Sequence, residues 1–238
     1  MVTFATISVN IDDWEAFVVK RKALSLIGVF AHLSEKSIES LEAISKLHYL
    51  KRNGVLHYEG ERIEHACFLA RGKVELYKMN KNDNEMFLCY VDSESAGTRM
   101  INAFGAFVPY VAAANVRALE SSEIVMLELT KLHQLVLSDI EISNALMSEF
   151  MDKLIVFKNF VNFKEMNDST SRVAYFLRHR LSYFNQNQRQ MIARELNIQT
   201  ESLSRILQKM FQQDVVAKNE HNEIYIKDSA LFAKLYGE

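Results

Sequence analysis

The sequence predicts an α+β fold: an N-terminal β-roll with flanking helices, one long helix suited to dimerisation, and a C-terminal winged helix-turn-helix. Three observations carry that expectation. Short apolar stretches, broken by turn-forming pairs such as Asn53-Gly54 and Arg71-Gly72, fill residues 51–128. Residues 131–166 contain no Gly or Pro and repeat apolar side chains three and four apart. Residues 189–207 then set apolar positions where two short helices lock across a tight turn. The expected divisions are 1–130 for the N-terminal helices and roll, 131–167 for the long helix, and 168–238 for the C-terminal module.

Composition supports a packed protein. Of 238 residues, 49% are apolar and 11% aromatic, enough for a substantial core. A single proline, Pro109, and seven glycines argue against a long flexible linker. The net charge of −2 hides an asymmetry. Residues 171–238 carry 10 Lys and Arg against 7 Asp and Glu, whereas residues 1–170 carry 18 against 23. The basic end points to an anionic partner there. Cys67 and Cys89 give neither a disulfide framework nor zinc spacing, and read as reduced, buried residues of a cytoplasmic protein. The first 17 residues include Asp12, Asp13 and Glu15 and lack a basic region, unlike a signal peptide. No apolar run nears the roughly 18 residues of a membrane span, so no membrane partner is expected. The sequence also lacks G-x-S-x-G, G-x-G-x-x-G and G-x-x-x-x-G-K, so it is not expected to be an enzyme.

Residues 12–50 look helical: Trp14, Phe17 and Val18 share a spacing with Leu24 and Ile27, and Ser34 caps a helix bearing Ile38, Leu41 and Ile44. Strands follow around Val74 to Tyr77, Met86 to Val91 and Ile124 to Leu129, suiting an antiparallel roll or barrel. In the long helix, Met147, Phe150, Leu154, Phe157 and Val161 form a coiled-coil seam, with Phe160 and Phe163 on a second stripe. That helix serves a partner subunit, or packs only on its own roll. The last module reads as a helix at 169–184, two short helices within 188–210, and a hairpin at 215–227 turning at His221-Asn222.

Within the pair of short helices each constrained position is filled. Ala193 is small where the helices cross. Asn197 sits at the turn, where a left-handed backbone is needed and Asn tolerates it. Ile192, Leu196, Ile198, Leu203 and Ile206 are the locking positions. Thr200, Glu201, Ser204 and Arg205 share the outward face of the second helix, the face that enters a DNA major groove. Arg205 suits guanine and Glu201 suits cytosine N4. Glu201 and Arg205 also stand four apart, the spacing of a plain surface ion pair. Arg189, Gln190 and, on the wing, Lys218 suit phosphates.

This order of elements resembles the Crp/Fnr family of transcription regulators over roughly residues 25–235. In the roll the resemblance rests on His57-Tyr58-Glu59-Gly60-Glu61 and on Cys67 to Val74. In the C-terminal module it rests on Thr200-Glu201-Ser202-Leu203-Ser204-Arg205. It implies a homodimer on a palindromic double-stranded DNA site, with RNA polymerase as a further partner. Thr200 stands where cyclic-AMP receptor proteins carry arginine, which implies an Fnr-type reader of TTGA…TCAA half-sites.

The family's sensing modes can be set against the residues. A cyclic nucleotide needs a glutamate for its ribose and an Arg-Ser pair for its phosphate. The corresponding stretches here are Ala96 to Arg99 and Ala112-Ala113, so a buried phosphate would lack a counter-charge, although Arg99 is a stand-in to consider. An iron–sulfur cluster needs about four thiolates, and two cysteines do not supply them. Haem is the third mode: the apolar, aromatic run from Phe104 through Phe107 to Ala114 suits a flat ligand. Axial candidates are His32, His48, His57, His65 and Cys67, with His65 and Cys67 on one strand face. Each is equally a surface histidine or a core thiol. The alternatives of a cyclic-nucleotide response, another small effector, redox-active cysteines and no effector stay open.

Overall fold

The computed structural model describes residues 19–94, 97–102, 108–165 and 168–236, with the backbone alone for 159–165. The chain forms two compact units. The first takes residues 1–78 and 90–156, and the second takes 79–89 and 157–238.

The first unit opens with a helix whose described part is 19–25 (α1), followed by α2, Glu35–Ile44. Ser34 caps α2 as expected, its hydroxyl accepting from the Ser37 N–H. Residues 45–50 were expected to continue as helix and instead form strand β1, Ser45–Leu50. The physical reason is the ladder with β10, where Ser45 to Leu50 pair with Leu127 back to Ser122. The remaining strands are β2 (Val55–His57), β3 (Arg62–Ile63), β4 (His65–Arg71), β5 (Lys73–Met79), β6 (Glu85–Asp92), β7 (Met100–Asn102), β8 (Tyr110–Val111), β9 (Asn115–Ala118) and β10 (Ser122–Glu128). They assemble into antiparallel sheets of order β1-β10-β4-β7 and β2-β9-β5-β6, with β3-β8 as a two-stranded ribbon; residues 85–89 of β6 belong to the second unit. This is the roll that the sequence predicts over residues 51–128.

Its turns follow the local chemistry. Asn53 and Asp83 take left-handed backbones, as does Gly72 at φ 94° between β4 and β5. A Cβ on Gly72 would stand 2.5 Å from the Ser122 hydroxyl and 2.7 Å from the Ser121 carbonyl, so only glycine fits that turn.

The long helix is broken. The sequence suggests one helix over 131–166, and the structure has α3, Leu129–Ser138, and α4, Ile140–Glu165. Asp139 divides them in an extended conformation. Its carboxylate accepts from the Glu141 and Ile142 N–H groups, capping α4, and from the Ser37 hydroxyl at 2.6 Å. One face of the roll and the helices enclose a core that includes Phe30, Phe68, Leu127, Leu132, Ile142 and Leu146. The Phe30 and Phe68 rings meet edge-on at 5.2 Å.

In the second unit the expected helix at 169–184 is two, α5 (Ser169–His179) and α6 (Leu181–Gln186), separated at Arg180. Then come α7 (Arg189–Glu195), α8 (Thr200–Gln212), the hairpin β11 (Val216–Lys218) with β12 (Ile224–Ile226), and α9 (Ser229–Tyr236), which the sequence reading missed. Val173, Phe176, Phe184, Ile192, Leu203, Met210 and Phe232 are among the buried side chains of this unit. No helix among the described residues is long and apolar enough to cross a membrane.

Candidate nucleic-acid face and roll interior

The pairing of α7 with α8 follows from the residues named at the turn. Ala193 is buried at the crossing with Ile192, Leu196 and Leu203. Ile198 and Ile206 pack against the same core from partly buried positions. Asn197 adopts φ 51°, the left-handed backbone expected of it. The Ile198 N–H donates to the Ala193 carbonyl across the turn. Glu201 falls in the first turn of α8, where a carboxylate is favoured by the helix dipole.

Of the predicted contact residues, Glu201, Ser204 and Arg205 are exposed together and Thr200 is half-buried beside them. Among the ion pairs of the described residues none joins Glu201 to Arg205. Gln190 and Lys218 are exposed. Arg189 is differently placed. Its guanidinium lies 4.0 Å from the Phe184 ring centre and donates to the Phe184 carbonyl at 2.8 Å. Burial pulls its pKa down. The hairpin is fixed from α6, because the Asn185 amide accepts from the Ile224 N–H and donates to the Ile224 carbonyl. Its turn uses Asn222 at φ 64°.

On α4 the seam residues divide. Met147 and Leu154 are 62% and 59% exposed, and Phe157 is 37% exposed. Met151 and Ile155 extend this apolar surface. Phe150 turns inward and packs against the roll's core. The side chain of Val161 lies outside the described residues.

Two charged residues of α4 that the sequence reading passed over are deeply buried, Glu149 at 2% exposure and Lys153 at 4%. Glu149 Oε2 accepts from the Thr98 hydroxyl at 2.6 Å and from the Arg99 and Met100 N–H groups at 3.0 and 3.1 Å. Lys153 Nζ donates to the Met100 and Ile101 carbonyls at 2.8 and 3.2 Å. Together they satisfy backbone N–H and C=O groups of residues 99–101, at the start of β7. Their i,i+4 spacing was visible, but it looks like any solvated helix face.

Inside the roll, His57 is buried and its Nε2 lies 3.3 Å from the Asn102 amide nitrogen. The Asn102 Oδ1 accepts from the Cys67 N–H. Asn102 is a polar interior residue that the sequence did not signal, because its burial follows from the non-local pairing of β7 with β4. Arg99 itself donates to the Asp92 carbonyl. Ala112 is buried, with its backbone bonded to Gly60 and Glu61. Cys67 is fully buried, and desolvation pushes its thiol up to about 12. His65 is half-buried on the same strand, whereas His32 and His48 are exposed. Phe104 and Phe107 lie outside the described residues. Among the described residues no three His, Cys, Asp or Glu side chains gather as a metal site.

Desolvation holds the imidazoles of His57 and His65 below their ordinary pKa. Below about pH 6.5 the unfolded chain therefore binds protons that the folded chain refuses, and stability falls as pH falls. The urea midpoint is expected to drop between about pH 7 and pH 5. A His57→Gln, His65→Gln double variant is expected to flatten that part of the profile.

The cyclic nucleotide-binding domain family matches residues 47–139. Several solved structures share the fold over most of the chain. Solved structures that share the fold include the c-di-GMP-responsive global regulator CLP of Xanthomonas campestris, at 16% identity and a TM-score of 0.61, covering 82% of this chain and 100% of that one. FixK2 of Bradyrhizobium japonicum aligns at 14% identity and a TM-score of 0.54, covering 81% and 97%. A CooA mutant from Carboxydothermus hydrogenoformans aligns at 13% identity and a TM-score of 0.61, covering 86% and 91%. No curated protein matches the chain in sequence. The matched stretch runs from within β1 to the end of α3 in the first unit. Where the family resemblance places the Arg-Ser pair for a cyclic nucleotide stand Ala112, which is buried, and Ala113, which is exposed, and His57 and Asn102 meet inside the roll.

Proposed function

We propose that this chain is a Crp/Fnr-type transcription regulator that binds a palindromic DNA site as a homodimer. The observation that carries the reading is the exposed cluster of Glu201, Ser204 and Arg205 on α8, backed by a tight turn and flanked by a hairpin. In this assignment residues 168–238 form the DNA-binding module, with α8 in the major groove. Arg205 donates to guanine O6 and N7, Glu201 accepts from cytosine N4, and Ser204 and Thr200 reach base edges or phosphate. Gln190 and Lys218 hold phosphates. Arg189 keeps guanidinium N–H groups beyond the one given to Phe184, and these serve the same purpose.

The dimer helix of this reading lies within residues 131–167. Exposed Met147, Leu154 and Phe157 support it, because a solvated monomer gains nothing from such an apolar stripe. Phe150 serves the roll instead. RNA polymerase is the further partner that transcription control requires. Control by an effector would act through the roll. Haem has His65 and Cys67 on one strand in its favour and, against it, the proton that burial holds on Cys67.

The reading is tested by titrating the protein onto a TTGA…TCAA duplex and a scrambled duplex over a range of salt. Preference for the palindrome is expected. Log Kobs should fall with log salt by about 0.9 for each phosphate neutralised. Equal binding to both duplexes would contradict the base-reading assignment, and no salt-dependent binding at all would contradict the DNA assignment.

A further inference from the structure

We infer that Asn197 is a positioning residue for α8, holding the start of that helix through the backbone of the segment 79–89. The inference rests on the DNA reading for its consequence and on the geometry of the second unit for its origin. A left-handed turn position by itself favours glycine, which adopts positive φ at no steric cost. Asparagine tolerates φ 51° and adds an amide. Here both ends of that amide are used on a single peptide edge. Asn197 Oδ1 accepts from the Phe87 N–H at 2.7 Å, and Asn197 Nδ2 donates to the Phe87 carbonyl at 3.0 Å. The side chain thus pairs with Phe87 as a neighbouring strand would.

A second bond lies alongside. Arg194, three residues before Asn197, donates to the Glu85 carboxylate at 2.6 Å, two residues before Phe87. Both side chains are about 70% covered, so this charge-assisted bond is less screened than a surface pair. Thr200 begins α8 only three residues after Asn197. A turn held at three bonds therefore fixes where α8 starts and which way it leaves. The contacts sit at the turn, while Glu201, Ser204 and Arg205 stay exposed with the contacts made. The arrangement is compatible with reading DNA, so it positions the helix rather than blocking it.

The test uses the full chain and Asn197→Gly. Glycine keeps the left-handed turn and deletes only the amide, so the variant is expected to fold. Amide hydrogen exchange in residues 198–204 of the free protein should rise at least about tenfold, the scale set by losing two hydrogen bonds. Affinity for the palindromic duplex should fall about tenfold by the same reasoning, with affinity for a scrambled duplex unchanged. Asn197→Asp keeps the acceptor for Phe87 and should recover part of both losses, and Glu85→Gln should show a smaller loss in the same direction. Unchanged exchange over 198–204 would overturn the inference whatever the protein does with DNA. Wild-type or tighter palindrome binding by a folded Asn197→Gly would overturn it as well. Failure of the wild-type chain to prefer the palindrome would instead count against the DNA reading, and the exchange measurement would still decide the role of Asn197.

Discussion

Arg205→Ala is expected to cost the protein its preference for a symmetric TTGA…TCAA duplex while leaving its melting temperature unchanged. Arg205 is exposed on α8 and takes no part in the module's core, so its removal creates no cavity and strands no buried partner. In the proposed complex it makes a bidentate contact with guanine, worth about 1–3 kcal/mol per site. A homodimer loses the contact in both half-sites. The combined loss is then about 2–6 kcal/mol, or a fall in affinity of roughly thirtyfold at the least. Binding to scrambled DNA should change little, because phosphate contacts by Gln190 and Lys218 remain. Competition binding with the two duplexes gives the ratio directly. An Arg205→Ala protein that still prefers the palindrome would remove Arg205 from the set of base readers.

Glu149→Ala carries the largest expected effect on stability. Its carboxylate is the acceptor for the Thr98 hydroxyl and the Met100 N–H, both buried, and for the Arg99 N–H, which is half-buried. Alanine leaves those donors without a partner, at about 1–3 kcal/mol each before relaxation. A net loss of about 3 kcal/mol lowers the melting temperature of a chain this size by about 6–12 °C. Lys153→Met should cost less. The Met100 and Ile101 carbonyls it leaves behind tolerate under-satisfaction better than N–H groups do. The double variant should fall short of the sum, because both side chains hold the same stretch of backbone. A melting temperature unmoved by Glu149→Ala would show that water or a neighbour replaces the carboxylate, and that α4 does not depend on this anchor.

The contrast between these two sites shows what a sequence discloses. The α7–α8 turn was readable because its constraints are local. A small residue at 193, a residue tolerant of positive φ at 197 and apolar residues at 192, 196 and 203 are all set by helix geometry within a few residues. The roll's turns at Asn53-Gly54 and Gly72 were readable for the same reason. Glu149 and Lys153 were not, because a charged pair four apart on a helix is ordinary, and only the non-local strand at 98–101 explains its burial. Asn197 was half readable: its backbone follows from the turn, but its amide partner at Phe87 is 110 residues away.

Two boundaries were missed although local signals existed. Asp139 is a good N-cap followed by Glu141, and its seat between Ser37 and the N-terminus of α4 breaks what looks like one apolar-striped helix. In residues 45–50, Leu47 alternates with exposed Lys46 and His48, a strand-like pattern. It was masked by the helical spacing of Ile38, Leu41 and Ile44 just before it. The inward turn of Phe150 has the same root. A seam written from spacing alone does not say which of two apolar stripes meets the roll.

The central claim is that two copies of this chain share one palindromic site, and the most direct measurement is the mass of the complex in solution. Native mass spectrometry or sedimentation of the full chain with a single TTGA…TCAA duplex should give two chains per duplex, with a dimer already present before DNA is added. One chain per duplex, or a complex that forms equally on a scrambled duplex, would contradict the account.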